Sequence, residues 1–240
     1  MSSDLHEHYD HYNPEMIKRL DGFYGRVSSR MNQRIVEGIV GAKVLDFGCG
    51  FGDLTDHIRE SGFDVIGLDM IEEGVKAGKL KYPKSKLQYE KSEKIPFPDK
   101  YFDTIILKDT IHHIYGEADI NEFLKEAKRV TKKRIIVFDP NPMFILQIAR
   151  KIIGHIDPSC PPNEAIRVLK EAGFTILKED YFDTLAFPLS GGYVGKEIIK
   201  GQTLGSILLS IDSFFEKVVK LLFLKKRICW RYLIIADLPE

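Results

Sequence analysis

Apolar positions in this 240-residue chain fall into short runs, separated by stretches in which they recur every three or four residues. Runs of that length bounded by turn residues fit buried strands, and the longer recurrence fits helices with one apolar face. Lys43–Phe47 (KVLDF) reads as the first strand, followed by a helix over DLTDHIRESG that Gly62 stops. Asp64–Asp69 (DVIGLD) is the second strand, and EEGVKAGKL a helix weakened by Gly74 and Gly78. KLQYE is the third strand; IPFPDK is a connection, because Pro96 and Pro98 do not fit a central strand. Tyr101–Lys108 is a fully buried fourth strand, INEFLKEAKRVT an amphipathic helix, and Arg134–Asp139 a fifth strand ended by PNP. A helix over NEAIRVLKEAGF ends near Gly173, TILKEDYF is the sixth strand and RYLIIADL the last. Strands alternating with helices in this way predict an α/β domain around a parallel sheet.

Two segments leave that rhythm. Before residue 42, Met16, Ile17, Leu20, Phe23, Val27, Met31, Ile35 and Ile39 recur at helical spacing and predict helices ahead of the core. Between the last two strands, Pro188–Leu224 holds PLSGGYVGKE and one long helix. On a helical wheel, Ser206, Ser210, Asp212, Ser213, Glu216, Lys217 and Lys220 share one side. Leu204, Ile207, Ile211, Phe214, Phe215, Val218, Val219 and Leu222 share the other. The wide apolar side predicts docking on the rest of the protein. A wall for a bound molecule and a membrane-surface helix are the competing readings, the last weakened by the mixture of acids and lysines on the polar side.

Charge and cysteine usage narrow the function. Lys+Arg and Asp+Glu both number 35, so the chain lacks the basic footprint of a nucleic-acid binder. Cys49, Cys160 and Cys229 are widely spaced, which argues against a zinc site or a disulfide framework and suits a reducing cytoplasm. The N-terminal MSSDLHEHYDHYNPEM has no apolar signal-peptide core, and no apolar run is long enough for a membrane span.

The candidate chemistry begins at KVLDFGCGFGDLT, where Gly48, Gly50 and Gly52 alternate between Asp46 and Asp53. The stretch joins a strand to a helix, the place where open parallel sheets bind ligands. A dinucleotide loop would read G-x-G-x-x-G, but Asp53 stands at its third glycine, and the Lys-Ser/Thr of a P-loop is missing. Carboxylates at a helix N-terminus would repel a pyrophosphate; they suit a ligand with an ammonium group. Asp69, at the end of the second strand, stands where an acid meets ribose hydroxyls. A tight turn with Asp53 as a helix cap would account for the loop alone. All three acids together fit an amine-bearing, cationic nucleoside such as S-adenosylmethionine.

VLDFGCGFG, VIGLDM and EKIPFPDKYFDTIILKDTIHHI, in that order, resemble motifs of the class I S-adenosylmethionine-dependent methyltransferases, in particular the quinone-biosynthesis branch. The resemblance spans Ala42 to Phe182. It implies a Rossmann-like, seven-stranded, mostly parallel sheet with helices on both faces and an antiparallel last strand, here with a helical insertion before it. It also implies that Asp46, Gly48, Gly50 and Gly52 face the methionine part, Asp69 the ribose and Met70 the adenine. S-adenosylhomocysteine would be the product. Tyr9 and Tyr12 lie where relatives fold a helix over the cofactor, with Tyr24 and Arg30 as further candidates. The expected layout is one domain over 1–240: a helical lid at 1–41, the core at 42–187, an insertion at 188–225 and the last strand at 226–240. One departure concerns adenine. The family's D-A-E-x-L-P-F is here KSEKIPF, and Lys91 cannot accept a hydrogen bond from an amino group. Ser92, through its backbone, and Glu90 or Glu93 are the substitutes.

Methyl transfer needs the acceptor held in line, water excluded and sometimes a proton removed. KDTIHHIYG supplies Lys108 on the cofactor side, with Asp109, His112, His113 and Tyr115 beyond it. His113, slightly ahead of His112, is the candidate base; a structural hydrogen bond is the alternative for either. No N-P-P-[YF] follows the fourth strand, which disfavours nucleic-acid or glutamine methylation, and DPNP reads as a strand stop. The insertion suits an apolar cover over a lipid, isoprenoid or aromatic acceptor. The expected activity is methyl transfer to a small apolar or amphipathic molecule, with no metal. The alternatives are aminopropyl transfer and a non-catalytic cofactor-binding subunit, and peripheral membrane contact stays open.

Overall fold

The computed structural model describes residues 17–91, 94–143, 158–192, 199 and 201–239. Tyr9, Tyr12, Ser92 and Glu93 therefore lie outside the described residues. A helix α1 (Phe23–Val36) leads into β1 (Lys43–Phe47), α2 (Asp53–Glu60), β2 (Asp64–Asp69), α3 (Glu72–Lys81) and β3 (Lys86–Tyr89). Then come β4 (Phe102–Lys108), α4 (Ile111–Glu117), α5 (Ile120–Val130) and β5 (Thr131–Pro140). After α6 (Pro162–Glu171) and β6 (Thr175–Phe182) follow α7 (Ala186–Leu189), α8 (Gln202–Leu221), α9 (Lys225–Ile228) and β7 (Arg231–Asp237).

The strands form one seven-stranded sheet in the order β3-β2-β1-β4-β5-β7-β6. β1 to β5 pair in parallel, and β7 inserts antiparallel between β5 and β6, as the resemblance implies. Strand side chains alternate between faces, so each strand feeds two cores. Ile105, Leu107, Ile135 and Val137 pack with α5 and α6 through Leu124, Ala127, Ala165 and Leu169. Ile106, Ile136, Phe138 and Leu233 pack with α1 and α2 through Val27, Met31, Ile35, Leu54 and Ile58. Helices therefore cover both faces. The short α4, α7 and α9 were not legible as periodic segments, since four to seven residues give too little repeat.

The long helix is rotated from the expected orientation: Val219, Phe215, Leu208 and Leu209 pack against the protein, but Asp212 and Glu216 turn inward with them. Asp212 is fully buried on α8, whereas Leu204, Ile207, Ile211, Phe214 and Leu222 are exposed. The two phenylalanines part: Phe214 points outward, and Phe215 packs against the core. The cause lies on α1. Arg30 bridges Asp183 at 3.0 Å and pairs with Asp212, and Arg34 pairs with Glu216 at 2.7 Å. Asp212 also accepts hydrogen bonds from Thr184 Oγ1 (2.7 Å) and from the N–H groups of Leu185 and Ala186 (2.6 and 3.0 Å). Two guanidiniums and the amino end of α7 draw the acids inward, and Leu204, Ile207, Ile211 and Phe214 turn out together with Lys217 and Lys220. Arg30 is thus a tie between α1 and α8 and no part of a cover over the glycine loop.

Candidate cofactor site

Parallel pairing puts the carboxyl ends of β1, β2, β4 and β5 on one edge, and each ends on a polar residue or nearly so: Asp46, Asp69, Lys108 and Asp139. The glycine loop crosses this edge. Gly48, Gly50 and Gly52 all have left-handed backbones (φ 77°, 55° and 79°), a conformation that other residues adopt at a cost. At Gly48 space also decides, because a Cβ would stand 2.2 Å from Thr110 Oγ1. The loop is stitched to β2 by Gly48 N–H and Cys49 N–H, both donating to the Leu68 carbonyl (2.8 and 3.2 Å).

Asp69 helps to hold the loop. Its Oδ2 accepts from Gly50 N–H (2.7 Å) and its Oδ1 from Ile71 N–H (2.8 Å). Each carboxylate oxygen has a second lone pair for a ligand hydroxyl. Burial raises the Asp69 pKa, and these amides offset part of the rise. Met70 beside it is exposed, an apolar surface next to the acid.

Asp46 is buried, and Thr55 Oγ1 donates to its Oδ2 at 2.6 Å. Its Oδ1 is buried without a protein partner. Burial pushes this carboxyl up to about 7, with Thr55 and Lys108 pulling the other way. An orphaned acceptor of this kind costs about 1–3 kcal/mol if left unsatisfied, and an ammonium group at this place would satisfy it.

Asp53 departs from the sequence expectation. Its carboxylate accepts from Ser28 Oγ (2.7 Å), Asn32 Nδ2 (3.2 Å) and Lys108 Nζ (3.1 Å). Lys108 also donates to Asn32 Oδ1 at 2.8 Å. Burial works against the charge on Asp53, yet Lys108, Ser28 and Asn32 hold its pKa below the usual carboxylate range. The ion pair ties β4 and α2 to the underside of α1, so Asp53 is spent on protein contacts. Lys108, expected on the cofactor side, directs its ammonium into this network. Tyr24 lies close by, its hydroxyl pKa raised by burial.

Beyond β4, Asp109 turns the chain with a left-handed backbone (φ 54°). Its N–H donates to the Phe138 carbonyl at 2.9 Å, and its carboxylate pairs with the buried Arg231 of β7. The two predicted histidines sit together on α4, ring centroids 4.2 Å apart. They differ in surroundings. His112 is buried, with Nδ1 at 2.9 and 3.0 Å from the oxygens of Asp139; His113 is partly exposed. From the sequence Asp139 reads only as a strand stop. Sequence reasoning also missed Thr110 and Arg231; Arg231 carries no local motif, and only the insertion of β7 beside β5 brings it here.

The Asp46 environment predicts a pH dependence. The folded pKa of about 7 lies above the ordinary 3.8, so the native protein keeps a proton that the unfolded chain releases. Stability of the unligated protein therefore falls as pH rises from 4 to 7 and levels off above. Denaturant titrations across that range should show the decline in the wild type and lose most of it in Asp46→Asn. An unchanged decline would place the titrating group elsewhere.

Residues 45–138 match the family described as a methyltransferase domain. A demethylmenaquinone methyltransferase of Chlorobaculum parvum is 26% identical over 214 residues, 78% of this chain and 86% of that protein. A ubiquinone biosynthesis O-methyltransferase of Acinetobacter baumannii is 30% identical over 159 residues, 58% of this chain and 66% of the relative. For three further curated relatives the matched stretch covers 61%, 40% and 43% of their length. A crystal structure of a SAM-dependent methyltransferase from Archaeoglobus fulgidus shares the fold, with a TM-score of 0.64 at 22% identity over 88% of this chain and 93% of that one. The ordered motifs, the β7-inverted sheet and these matches together make this chain a member of the class I S-adenosylmethionine-dependent methyltransferases.

Proposed function

We propose that the whole protein binds S-adenosylmethionine across the glycine loop and transfers its methyl group to a small apolar or amphipathic acceptor. The observation that carries this reading is the orphaned Oδ1 of Asp46, a buried acceptor at the loop that suits the cofactor's ammonium. Asp69 takes the ribose hydroxyls with its remaining lone pairs, the loop glycines let the backbone approach the methionine part, and Met70 lies under the adenine. Ser92 and Tyr12 belong to the same proposal from the sequence alone. The bound cofactor supplies an activated methyl group on a sulfonium; the chain must position the acceptor and manage its proton.

For the proton we place His112 ahead of His113. The Asp139 carboxylate, accepting from Nδ1–H, fixes the tautomer in which Nε2 is the basic nitrogen, the arrangement that makes a histidine an oriented base. The relatives named above for demethylmenaquinone and ubiquinone point to a hydroxylated ring with an apolar tail as the acceptor class. Transfer of radiolabelled methyl groups to a panel of such quinols tests the activity, and no product from any acceptor would count against it. His112→Gln should lower kcat by about 10²–10⁴, the range for loss of a general base, with the KM for the cofactor unchanged. A loss under tenfold would make His112 a packing residue. His113→Gln should cost less.

A further inference from the structure

We propose that the outward face of α8 and α9 docks on an anionic lipid bilayer. Leu204, Ile207, Ile211 and Phe214 recur at spacings of three and four along α8, Leu221 follows seven residues on with Leu222 beside it, and all are exposed, Phe214 by 68%. Phe223 follows with 94% of its surface exposed. Contiguous apolar surface of this extent marks an interaction site. No described helix is long and apolar enough to cross a membrane, so this one would lie along a surface.

Charge selects the occupant. The sequence mixes acids and lysines on the polar side of α8, which argued against a membrane. The structure removes that objection, because Asp212 and Glu216 are turned inward onto Arg30 and Arg34. The charges left on the exposed side of α8 are Lys217 and Lys220, and Arg227 follows on α9. These three have no ion pair among the described residues. Lys225 and Lys226 are partly neutralised by Asp180 and Glu179. Among the described residues, an exposed apolar stripe whose unpaired charges on α8 and α9 are all basic is the signature of an interfacial helix on anionic lipid. A second copy of this chain would meet the stripe with the same cations and gain no such complement.

The test is co-sedimentation of the full-length protein with vesicles, and it stands apart from cofactor binding. Vesicles containing phosphatidylglycerol should retain the protein about a hundredfold better than pure phosphatidylcholine, given three basic residues near the surface. Salt at about 1 M, where screening acts within roughly 3 Å, should release most of it. Ile207→Ser with Phe214→Ser should abolish retention, and Lys217→Glu with Lys220→Glu should remove the preference for anionic lipid. Unchanged thermal unfolding and S-adenosylhomocysteine binding in both variants would show that the fold is intact. No retention by either vesicle, or equal retention by both, would overturn the proposal. So would a dimer in light scattering that the serine variants dissolve while vesicle binding stays absent.

Discussion

Asp69→Ala is expected to weaken S-adenosylmethionine binding at least a hundredfold. The carboxylate braces the loop through Gly50 N–H and Ile71 N–H, and in the proposed binding mode its remaining lone pairs take the ribose hydroxyls. Hydrogen bonds to a charged group contribute about 1.5–3 kcal/mol each, and two ribose hydroxyls would lose theirs together. At about 1.4 kcal/mol per tenfold, the lost bonds alone give two orders of magnitude, and the released loop adds to that. Calorimetric titration of the variant measures the effect directly. Thermal unfolding should fall only modestly, since the residue lies at the sheet's rim. A variant that binds as tightly as the wild type would remove Asp69 from the site.

Asp212→Ala should produce the largest loss of stability. The substitution removes the acceptor for Thr184 and for two N–H groups at the start of α7, and it leaves the Arg30 guanidinium with Asp183 and the Ser213 hydroxyl. Breaking one side of a buried ion pair costs about 3–5 kcal/mol. For a chain of this size that corresponds to a fall in Tm of about 10 °C. The same carboxylate gives an acid limb to stability. Burial opposes its charge, but Thr184, Arg30 and the Ala186 amide hold its pKa below the ordinary carboxylate value. Its contribution is therefore complete above the unfolded pKa and is lost as pH falls through the folded one. Asp212→Asn, which keeps an acceptor for α7, should lie between. A loss below about 1 kcal/mol, the size of an exposed pair, would mean that the α1–α8 contact does not depend on this cluster.

Legibility in the sequence followed the range of the interactions. The seven strands and the glycine loop are local in origin, and all were readable from patterns of a few residues. β5 starts earlier than its apolar run because Thr131 pairs with Phe102 through a register shift, a contact between distant segments. From the sequence Asp53 and Lys108 each read as facing the cofactor. Their pairing depends on β1 lying beside β4, which sets residues 55 positions apart within hydrogen-bonding distance. α8 shows the limit most clearly. A helical wheel groups Asp212 with Lys217 and Val219 with Phe214, but the structure divides both pairs, because Arg30 and Arg34, some 180 positions earlier, draw the acids inward. His112 likewise became distinguishable from His113 only through Asp139, one strand further along the sheet.

A crystal structure of the protein with S-adenosylhomocysteine, which keeps the amino group and the ribose, reads the proposed contacts themselves. The ammonium is expected within hydrogen-bonding distance of Asp46 Oδ1, the ribose hydroxyls on Asp69 and the adenine against Met70. A molecule bound away from the glycine loop, or lying there with its ammonium turned from Asp46, would contradict it.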